Sequence, residues 1–332
     1  MRFFYTLIFL LVASIVTAQE IETKNLYPLN TAPKKMENAP AKVYIRSFKV
    51  YYQMIAEAEK TNYGGRQFGG GTYKGDATAR MCVAVKGVDP EQLQKLTDEL
   101  YNQFVSQLKA ENLEVYTANE IPDIEFYEGW EKISGPHINE EQLKGYLMVA
   151  PVNYSYYVKR VTAKGKEKDT FIDKAYKVSE ELEDMIVADV NINVATLWLD
   201  ASAKLGSAKV KGGPFLRIAP GSAIKFQSGR LNKLNAAPLT ASMVLIKKPL
   251  VINGVFEAEK FKVVADKQST NISSFSYAPF FTVNDVSLDV TNYAECDGSV
   301  FIEKVGDNAR QFMQQGLEQF KSHRKGEKYK GF

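Results

Sequence analysis

The sequence is poor in the side chains on which most catalytic centres depend. Its 332 residues include two histidines, two cysteines and two tryptophans. Zinc sites usually take several histidines or cysteines at short spacing, and the chain has neither an HExxH motif nor paired CxxC motifs. A GxSxG turn, which would carry a serine nucleophile, is also missing. We therefore expect no catalytic residues, no metal and no cofactor, and a binding protein more readily than an enzyme.

Phosphate-binding loops are missing too, although one stretch is rich in glycine. The sequence NYGGRQFGGGTYKGDA, residues 62–77, holds six glycines. A Walker loop needs a lysine directly after a glycine and then a helix, whereas Lys74 follows Tyr73 and the next segment, ATARMCVAV, is typical of a strand. The stretch therefore indicates a hairpin-like connection, on which Arg66, Phe68 and Tyr73 are candidate partner-binding residues.

Long apolar runs are confined to the N-terminus. Residues 1–18, MRFFYTLIFLLVASIVTA, combine an early arginine, an apolar run and a small final residue, which is the pattern of a secretory signal peptide. The run is too short to cross a bilayer of about 30 Å as a helix. We expect a mature chain without a transmembrane helix, soluble or peripheral to the membrane, in the periplasm or at the outer-envelope surface.

The chain also lacks a strong excess of charge. Its 42 basic and 39 acidic residues give a net charge of +3, whereas a nucleic-acid-binding protein would carry a basic face. We expect no nucleic-acid partner, and instead an envelope protein or a second copy of the chain. Cys82 and Cys296 could form a disulfide in an exported protein, or could remain two separate thiols.

The patterns that are present predict an α+β fold, with mixed or antiparallel sheets, a long helix packed on a sheet and a C-terminal helix. The long helix begins after Asp89, a good N-cap, with Pro90 in the first helical position and Gln92 completing a capping-box pattern. The C-terminal helix is predicted within residues 306–323. Strands outnumber helices without regular alternation, which argues against a doubly wound sheet.

These elements divide the chain into five segments. The predicted segments are a signal peptide (1–18), an extended lead-in (19–41), an α/β domain (42–150), a strand-rich domain with the C-terminal helix (151–322) and a basic tail (323–332). The lead-in is predicted to be extended because it contains three prolines and little periodicity.

Acidic clusters leave a hydrolase open as an alternative. The first cluster lies among aromatic residues and comprises Asp123, Glu125, Glu128 and Glu131. A pair of carboxylates from it could hydrolyse envelope glycans. The second cluster comprises Glu180, Glu181, Glu183 and Asp184, and is expected at the start of a helix, where acids are favoured.

Aromatic residues leave a further alternative. The sequence YSYY at 154–157 indicates either strand packing or a face that binds a sugar or a protein partner. A strand-rich cavity could also carry a small apolar ligand. His137, in SGPHINEE, is expected to be a surface-loop histidine rather than a catalytic base.

The stretch from Met81 to Thr117 resembles the opening α/β unit of two families of periplasmic domains. A strand, a long helix ending in FVSQLKAENLEVYT and a returning strand are similar to the curli secretion channel lipoprotein family and the TolB N-terminal family. The resemblance covers about 40 residues and implies a non-catalytic role in envelope assembly. The lipid-carrying cysteine of the curli channel has no counterpart here, so anchoring and pore formation are not carried over.

Overall fold

The computed structural model describes eight stretches of the chain. They are residues 23–29, 36–64, 75–170, 173–204, 207–228, 242–266, 276–283 and 286–329. The predicted signal peptide lies outside them, as do Arg66, Phe68 and Tyr73 of the glycine-rich stretch.

Twenty strands lie within the described residues. The first eleven are β1 (Leu26–Leu29), β2 (Lys42–Gln53), β3 (Ile55–Asn62), β4 (Ala77–Lys86), β5 (Glu114–Tyr116), β6 (Glu131–Ser134), β7 (His137–Asn139), β8 (Tyr146–Ala150), β9 (Ser155–Val158), β10 (Arg160–Val161) and β11 (Glu167–Lys168). The other nine are β12 (Ile186–Lys204), β13 (Ser207–Ile218), β14 (Ala223–Gln227), β15 (Ser242–Ile246), β16 (Leu250–Val251), β17 (Phe261–Asp266), β18 (Ser276–Val283), β19 (Val286–Val290) and β20 (Asn292–Glu295).

Three α-helices and two 3-10 turns accompany these strands in the described part of the chain. The helices are α1 (Pro90–Ala110), α2 (Ala175–Glu181) and α3 (Gly298–Arg324), and the turns are Thr23–Asn25 and Glu125–Tyr127. The predicted α+β class is confirmed, and strands dominate it. None of the helices in the described stretches is both long and apolar enough to span a membrane.

The start of α1 is set by local sequence. Asp89 has extended backbone angles, Pro90 is the first helical residue, and the Gln92 side chain accepts a hydrogen bond from the Asp89 backbone N–H at 3.0 Å. The helix ends just before Asn112, which has a φ of +58°. The start agrees with the prediction, because capping depends on residues close together in sequence.

The helix α3 begins eight residues earlier than predicted. Its N-cap is Asp297, whose carboxylate accepts a hydrogen bond from the Ser299 backbone N–H at 2.8 Å. The β-branched residues of SVFIEKV favour a strand locally. Burial of Phe301 and Val305 on one face of the helix outweighs that preference.

The main sheet has eleven strands and is built around β2 and β12. Its principal order is β1-β15-β14-β12-β2-β8-β7, with β5 also paired to β2, and with β13, β16 and β17 continuing from β12. The pairing of β2 with β12 is parallel. The sheet therefore combines strands from both sides of the domain boundary predicted at residue 150.

One face of the main sheet packs against α1 and α3 and forms the core. Phe48 on β2 contacts Phe104 on α1 with ring centroids 5.9 Å apart. Phe226 on β14 stacks on Phe320 of α3 at 3.9 Å. The Tyr52 hydroxyl is satisfied within this core by Thr97 at 3.0 Å.

A second sheet, in the order β20-β4-β3, packs against the long β12–β13 hairpin. The strands β3 and β4 are antiparallel and pair from Ile55–Ala84 to Asn62–Ala77. The strands on either side of the glycine-rich stretch are therefore antiparallel neighbours, and residues 65–74 of the predicted connection lie outside the described residues. The Asn62 side chain bonds the Ser207 carbonyl oxygen at 3.1 Å, which links the tips of the two hairpins.

Candidate functional site

The face of the main sheet opposite the helices is polar because of a bulge in β2. Ile45 lies opposite Ala188 on β12, but Ser47 lies opposite Asp189, so Arg46 is the extra residue. A bulge re-aims the side chains around it. Arg46 and Ser47 both line a cleft on this outer face, whereas Phe48 points to the helical core.

An aromatic cluster covers part of this face. It is built by the 3-10 turn at Glu125–Tyr127, the helix α2 and the strands β6 and β9, and its buried members include Tyr44, Tyr127 and Val187. Tyr127 stacks on Tyr157 with ring centroids 4.6 Å apart, and meets Trp130 edge to face at 5.0 Å. Trp130 and Tyr157 remain half-buried.

A cleft of about 230 Å³ lies between the polar strands and this aromatic cluster. Its charged lining residues are Arg46, Lys49, Glu167, Lys168, Asp169, Asp189 and Lys225. Its aromatic lining residues are Tyr51, Phe126, Tyr127, Trp130, Tyr156 and Tyr157. Two residues of the YSYY stretch therefore line the cleft, while Tyr154 and Ser155 are buried.

Arg46 holds two carboxylates at one end of the cleft. Its guanidinium binds Asp189 in a bidentate fashion, with Nε–Oδ1 at 2.8 Å and Nη2–Oδ2 at 2.5 Å. Its third nitrogen, Nη1, lies 2.9 Å from Asp173 Oδ1. Burial raises the pKa of Asp173, but the charge and hydrogen bond of Arg46 outweigh it and leave that pKa below its ordinary value. Asp173 is thereby kept ionised.

Glu167 is the centre of a second group of polar side chains. Its side chain is 3% exposed, and Oε2 lies 2.7 Å from Lys49 Nζ. Its other oxygen, Oε1, is 2.9 Å from the Tyr156 hydroxyl, 3.1 Å from His137 Nε2 and 3.2 Å from Asn139 Nδ2. The Lys49 ammonium also sits 4.2 Å from the centre of the Tyr156 ring.

These contacts keep Glu167 ionised. Burial alone would raise its pKa, but the hydrogen bond from His137 and the charge of Lys49 lower it to about 2. A carboxyl group that acts as a general acid needs a raised pKa and an available proton. Glu167 has neither property, because its pKa is lowered and four donors contact its two oxygens.

Other residues singled out from the sequence lie outside the cleft. Glu125 and Glu128 are exposed and do not line it, so the acids proposed for a hydrolase are not brought together there. The second acidic cluster is at the end of α2 and not at its start, which corrects the prediction. Glu181 instead accepts the Phe126 backbone N–H at 2.9 Å and so ties α2 to the 3-10 turn.

His137 and the cysteines are also located. His137 belongs to strand β7 and not to a loop, because the segment pairs with β8. Cys82 is buried and Cys296 is half-buried, and no disulfide joins them. The parallel pairing of β4 with β20 runs from Val83–Asn292 to Lys86–Glu295. Cys82 comes just before the first pair and Cys296 just after the last, so the pairing keeps the two thiols apart. The alternative of two separate thiols is the one that the structure has.

Four residues that build the cleft were missed from the sequence: Arg46, Lys49, Glu167 and Asp189. One signal was present, since Arg46 and Lys49 interrupt an otherwise apolar strand in VYIRSFKVYY, and Asp189 does the same in IVADVNINV. Their partners could not be foreseen, because the paired residues are 118 to 143 positions apart. Among the described residues, no three His, Cys, Asp or Glu side chains cluster as metal ligands.

Comparison of the chain with family models, with curated proteins and with solved structures finds no match in any of the three. The resemblance of residues 81–117 to periplasmic envelope domains stays a prediction.

Proposed function

We propose that the protein is an exported cell-envelope protein that binds a partner or ligand in this cleft and does not transform it chemically. The observation that carries the proposal is that the two buried carboxylates of the cleft, Glu167 and Asp189, are held by donors. Glu167 has four donors, and Asp189 is held by both nitrogens of an arginine fork. Such side chains are fixed in place, which favours binding by a preorganised surface.

The same geometry weighs against the two alternatives from the sequence. A glycan hydrolase needs one carboxyl group that can release a proton, and the pKa of Glu167 is about 2. A carrier of an apolar ligand needs a largely apolar cavity, whereas seven charged residues line this cleft. Aromatic rings beside fixed polar groups are instead typical of binding surfaces.

Export and envelope location rest on the sequence. The N-terminal pattern of residues 1–18 supports secretion. A mature chain that is soluble or peripheral to the membrane is proposed on the same pattern, because the apolar run is too short to span a bilayer. The partner is an envelope component or a second copy of the chain.

A co-sedimentation experiment tests the proposal. Purified protein is incubated with an isolated bacterial envelope fraction, and the bound share is compared for wild type, Trp130→Ala and Asn191→Ala. Both variants alter the cleft. Within the described residues the Asn191 side chain forms no hydrogen bond, so its replacement by alanine removes none that the fold uses. Trp198→Phe is the matched control, because Trp198 lies on β12 away from the cleft.

The expected result is saturable binding that both cleft variants weaken and the control keeps. Equal binding by all four proteins would contradict a role for the cleft. Release of shortened glycans from the envelope fraction by the wild type would contradict the absence of catalysis.

A further inference from the structure

The cleft contains neutral polar side chains that are not used by the fold. Within the described residues, the Ser47 hydroxyl, the Tyr51 hydroxyl and the Asn191 side-chain amide line the cleft and form no hydrogen bond with the protein. Hydroxyl and amide groups both donate and accept hydrogen bonds. Arg46, Lys49, Glu167 and Asp189 beside them are already paired. Apart from Lys168 and Asp169 at the edge, the free hydrogen-bonding capacity of the cleft floor is therefore neutral.

The other wall of the cleft is aromatic. Trp130 and Tyr157 both line it and are half-buried, so part of each ring is open to the cleft. Tyr127 packs against both rings and holds them in place. A ligand that meets this wall therefore needs an apolar face, and one that meets the floor needs hydroxyl or amide groups.

The size of the cleft limits what can enter it. Its volume of about 230 Å³ is below the roughly 300–1,000 Å³ of sites that enclose drug-sized molecules. One six-membered ring with its substituents is a suitable occupant. The remainder of a larger ligand would have to lie outside the cleft, over the adjoining surface.

That adjoining surface is a basic hairpin, residues 159–168, formed by β10, β11 and the turn between them. Its basic side chains are Lys159, Arg160, Lys164, Lys166 and Lys168. None of them makes an ion pair with a carboxylate of the described residues. The hairpin's acid, Glu167, is buried and neutralised by Lys49.

The basic hairpin is fixed next to the aromatic wall. Glu131 on β6 accepts the Val161 backbone N–H at 2.7 Å, and β6 pairs with β9, which carries Tyr157. Lys168 belongs to the hairpin and also lines the cleft, beside the exposed acid Asp169. Glu140 and Glu141 share a surface with Lys164, Lys166 and Lys168, so Lys159 and Arg160 are the cations of the hairpin that lie outside the surface shared with these two acids.

We propose that the cleft binds one sugar ring of an acidic saccharide, and that the basic hairpin binds the negative groups of that saccharide. This inference rests on the proposed function, since it names the ligand class of the same cleft. A pyranose ring has an apolar C–H face, which packs on Trp130 and Tyr157. Its rim of hydroxyl groups pairs with Ser47, Tyr51 and Asn191. The carboxylates or phosphates of the saccharide lie at Arg160 and Lys168, which pair with no carboxylate of the described residues, whereas Arg46, Lys49 and Lys225 are already paired.

A binding assay with paired saccharides tests the inference. The probes are oligosaccharides of alginate and polygalacturonate, each compared with its own carboxyl-reduced neutral form by isothermal titration calorimetry. At least one acidic probe is expected to bind about tenfold more tightly than its neutral form at low salt, and to lose that advantage at about 0.5 M salt because exposed charges are then screened.

Two sets of variants separate the cleft from the basic hairpin. The double variant Arg160→Gln, Lys168→Gln is expected to remove the preference for the acidic probe while keeping weak binding of the neutral form. Asn191→Ala is expected to weaken both forms equally. The matched control is Lys95→Gln, Lys109→Gln, which removes the same charge from exposed positions on α1 and is expected to bind as wild type.

The outcomes distinguish the ligand class from the proposed function. If no acidic probe binds better than its neutral form, the ligand class is wrong, and the envelope co-sedimentation result still decides the proposed function. If the protein binds phosphatidylglycerol vesicles through the hairpin, with no contribution from Asn191 or Trp130, the ligand is a lipid surface and the inference is also wrong. If Asn191→Ala changes neither saccharide nor envelope binding, the cleft is not the site.

Discussion

Lys49 and Glu167 form an ion pair across the cleft floor, with Nζ and Oε2 2.7 Å apart and side chains only 13% and 3% exposed. The pair joins β2 of the main sheet to the basic hairpin. Because both charges are largely removed from water, each depends on the other for compensation. The position of the hairpin beside the aromatic wall therefore depends on this contact.

Replacing Glu167 by glutamine is expected to destabilise the protein. The substitution leaves the Lys49 charge buried without its partner, and the expected loss is about 3–5 kcal/mol in the free energy of unfolding. Urea denaturation followed by circular dichroism measures it. Asp200→Asn is the control, because the Asp200–Lys211 pair is exposed and should contribute less than about 1 kcal/mol. Equal effects of the two substitutions would contradict a structural role for Lys49–Glu167.

Stability is expected to fall in acid because of the same carboxylate. The pKa of Glu167 is about 2 in the folded protein and 4.5 ordinarily, so the unfolded chain binds its proton first. The stabilisation, roughly 3 kcal/mol, is complete above about pH 5 and is lost as the pH falls towards 2. Asp173, whose pKa is also lowered, contributes in the same direction.

The check is a series of urea denaturations between neutral and acidic pH. The wild type should lose stability steeply below about pH 5, and Glu167→Gln should lose less over the same range. A wild type and a variant with parallel pH dependence would show that Glu167 is not held ionised by its neighbours.

Gly87 is expected to tolerate no side chain. Its φ is +104°, and a Cβ atom there would lie 2.0 Å from the Cys296 carbonyl oxygen, which is backbone and cannot turn away. Gly87→Ala should reduce the free energy of unfolding by at least about 2 kcal/mol. Gly254 also has a positive φ, of +78°, but a Cβ atom added to it would meet no heavy atom within 4 Å. Gly254→Ala is therefore the matched control, and it should reduce the free energy of unfolding by about 1 kcal/mol.

Both cysteines are expected to titrate as free thiols. Denatured protein kept free of reductant should react with two equivalents of a thiol reagent, since no disulfide joins Cys82 and Cys296. In the folded protein the reaction should be slow, because Cys82 is buried and because burial and Asp297 raise the pKa of Cys296 to about 11. A denatured protein with no reactive thiol would instead establish the disulfide that the sequence left open.

Local features of the fold could be predicted from the sequence. The start of α1 follows from Asp89, Pro90 and Gln92, which are neighbours in the chain. The start of α3 was missed because Val300 and Ile302 favour a strand, and only the packed core reveals that Phe301 and Val305 share a buried face. Local rules therefore succeed where tertiary packing agrees with them.

The cleft could not be assembled from the sequence. The polar residues of β2 and β12 were visible as interruptions of apolar strands, but the bulge at Arg46 depends on the register between strands more than 140 residues apart. The ionised state of Glu167 depends on His137, Lys49 and Tyr156, which come from three different strands. Pairings over such distances are set by the fold and leave no local pattern.

The most direct measurement uses Trp130 as a reporter of the cleft. In Trp198→Phe protein, Trp130 is the remaining tryptophan, and its fluorescence is followed during titration with the acidic oligosaccharides. A binding cleft without catalysis predicts a saturable change in emission and recovery of the oligosaccharide at its original mass. Unchanged emission with every oligosaccharide would contradict an acidic saccharide as the ligand, and recovery of shortened products would contradict binding without catalysis.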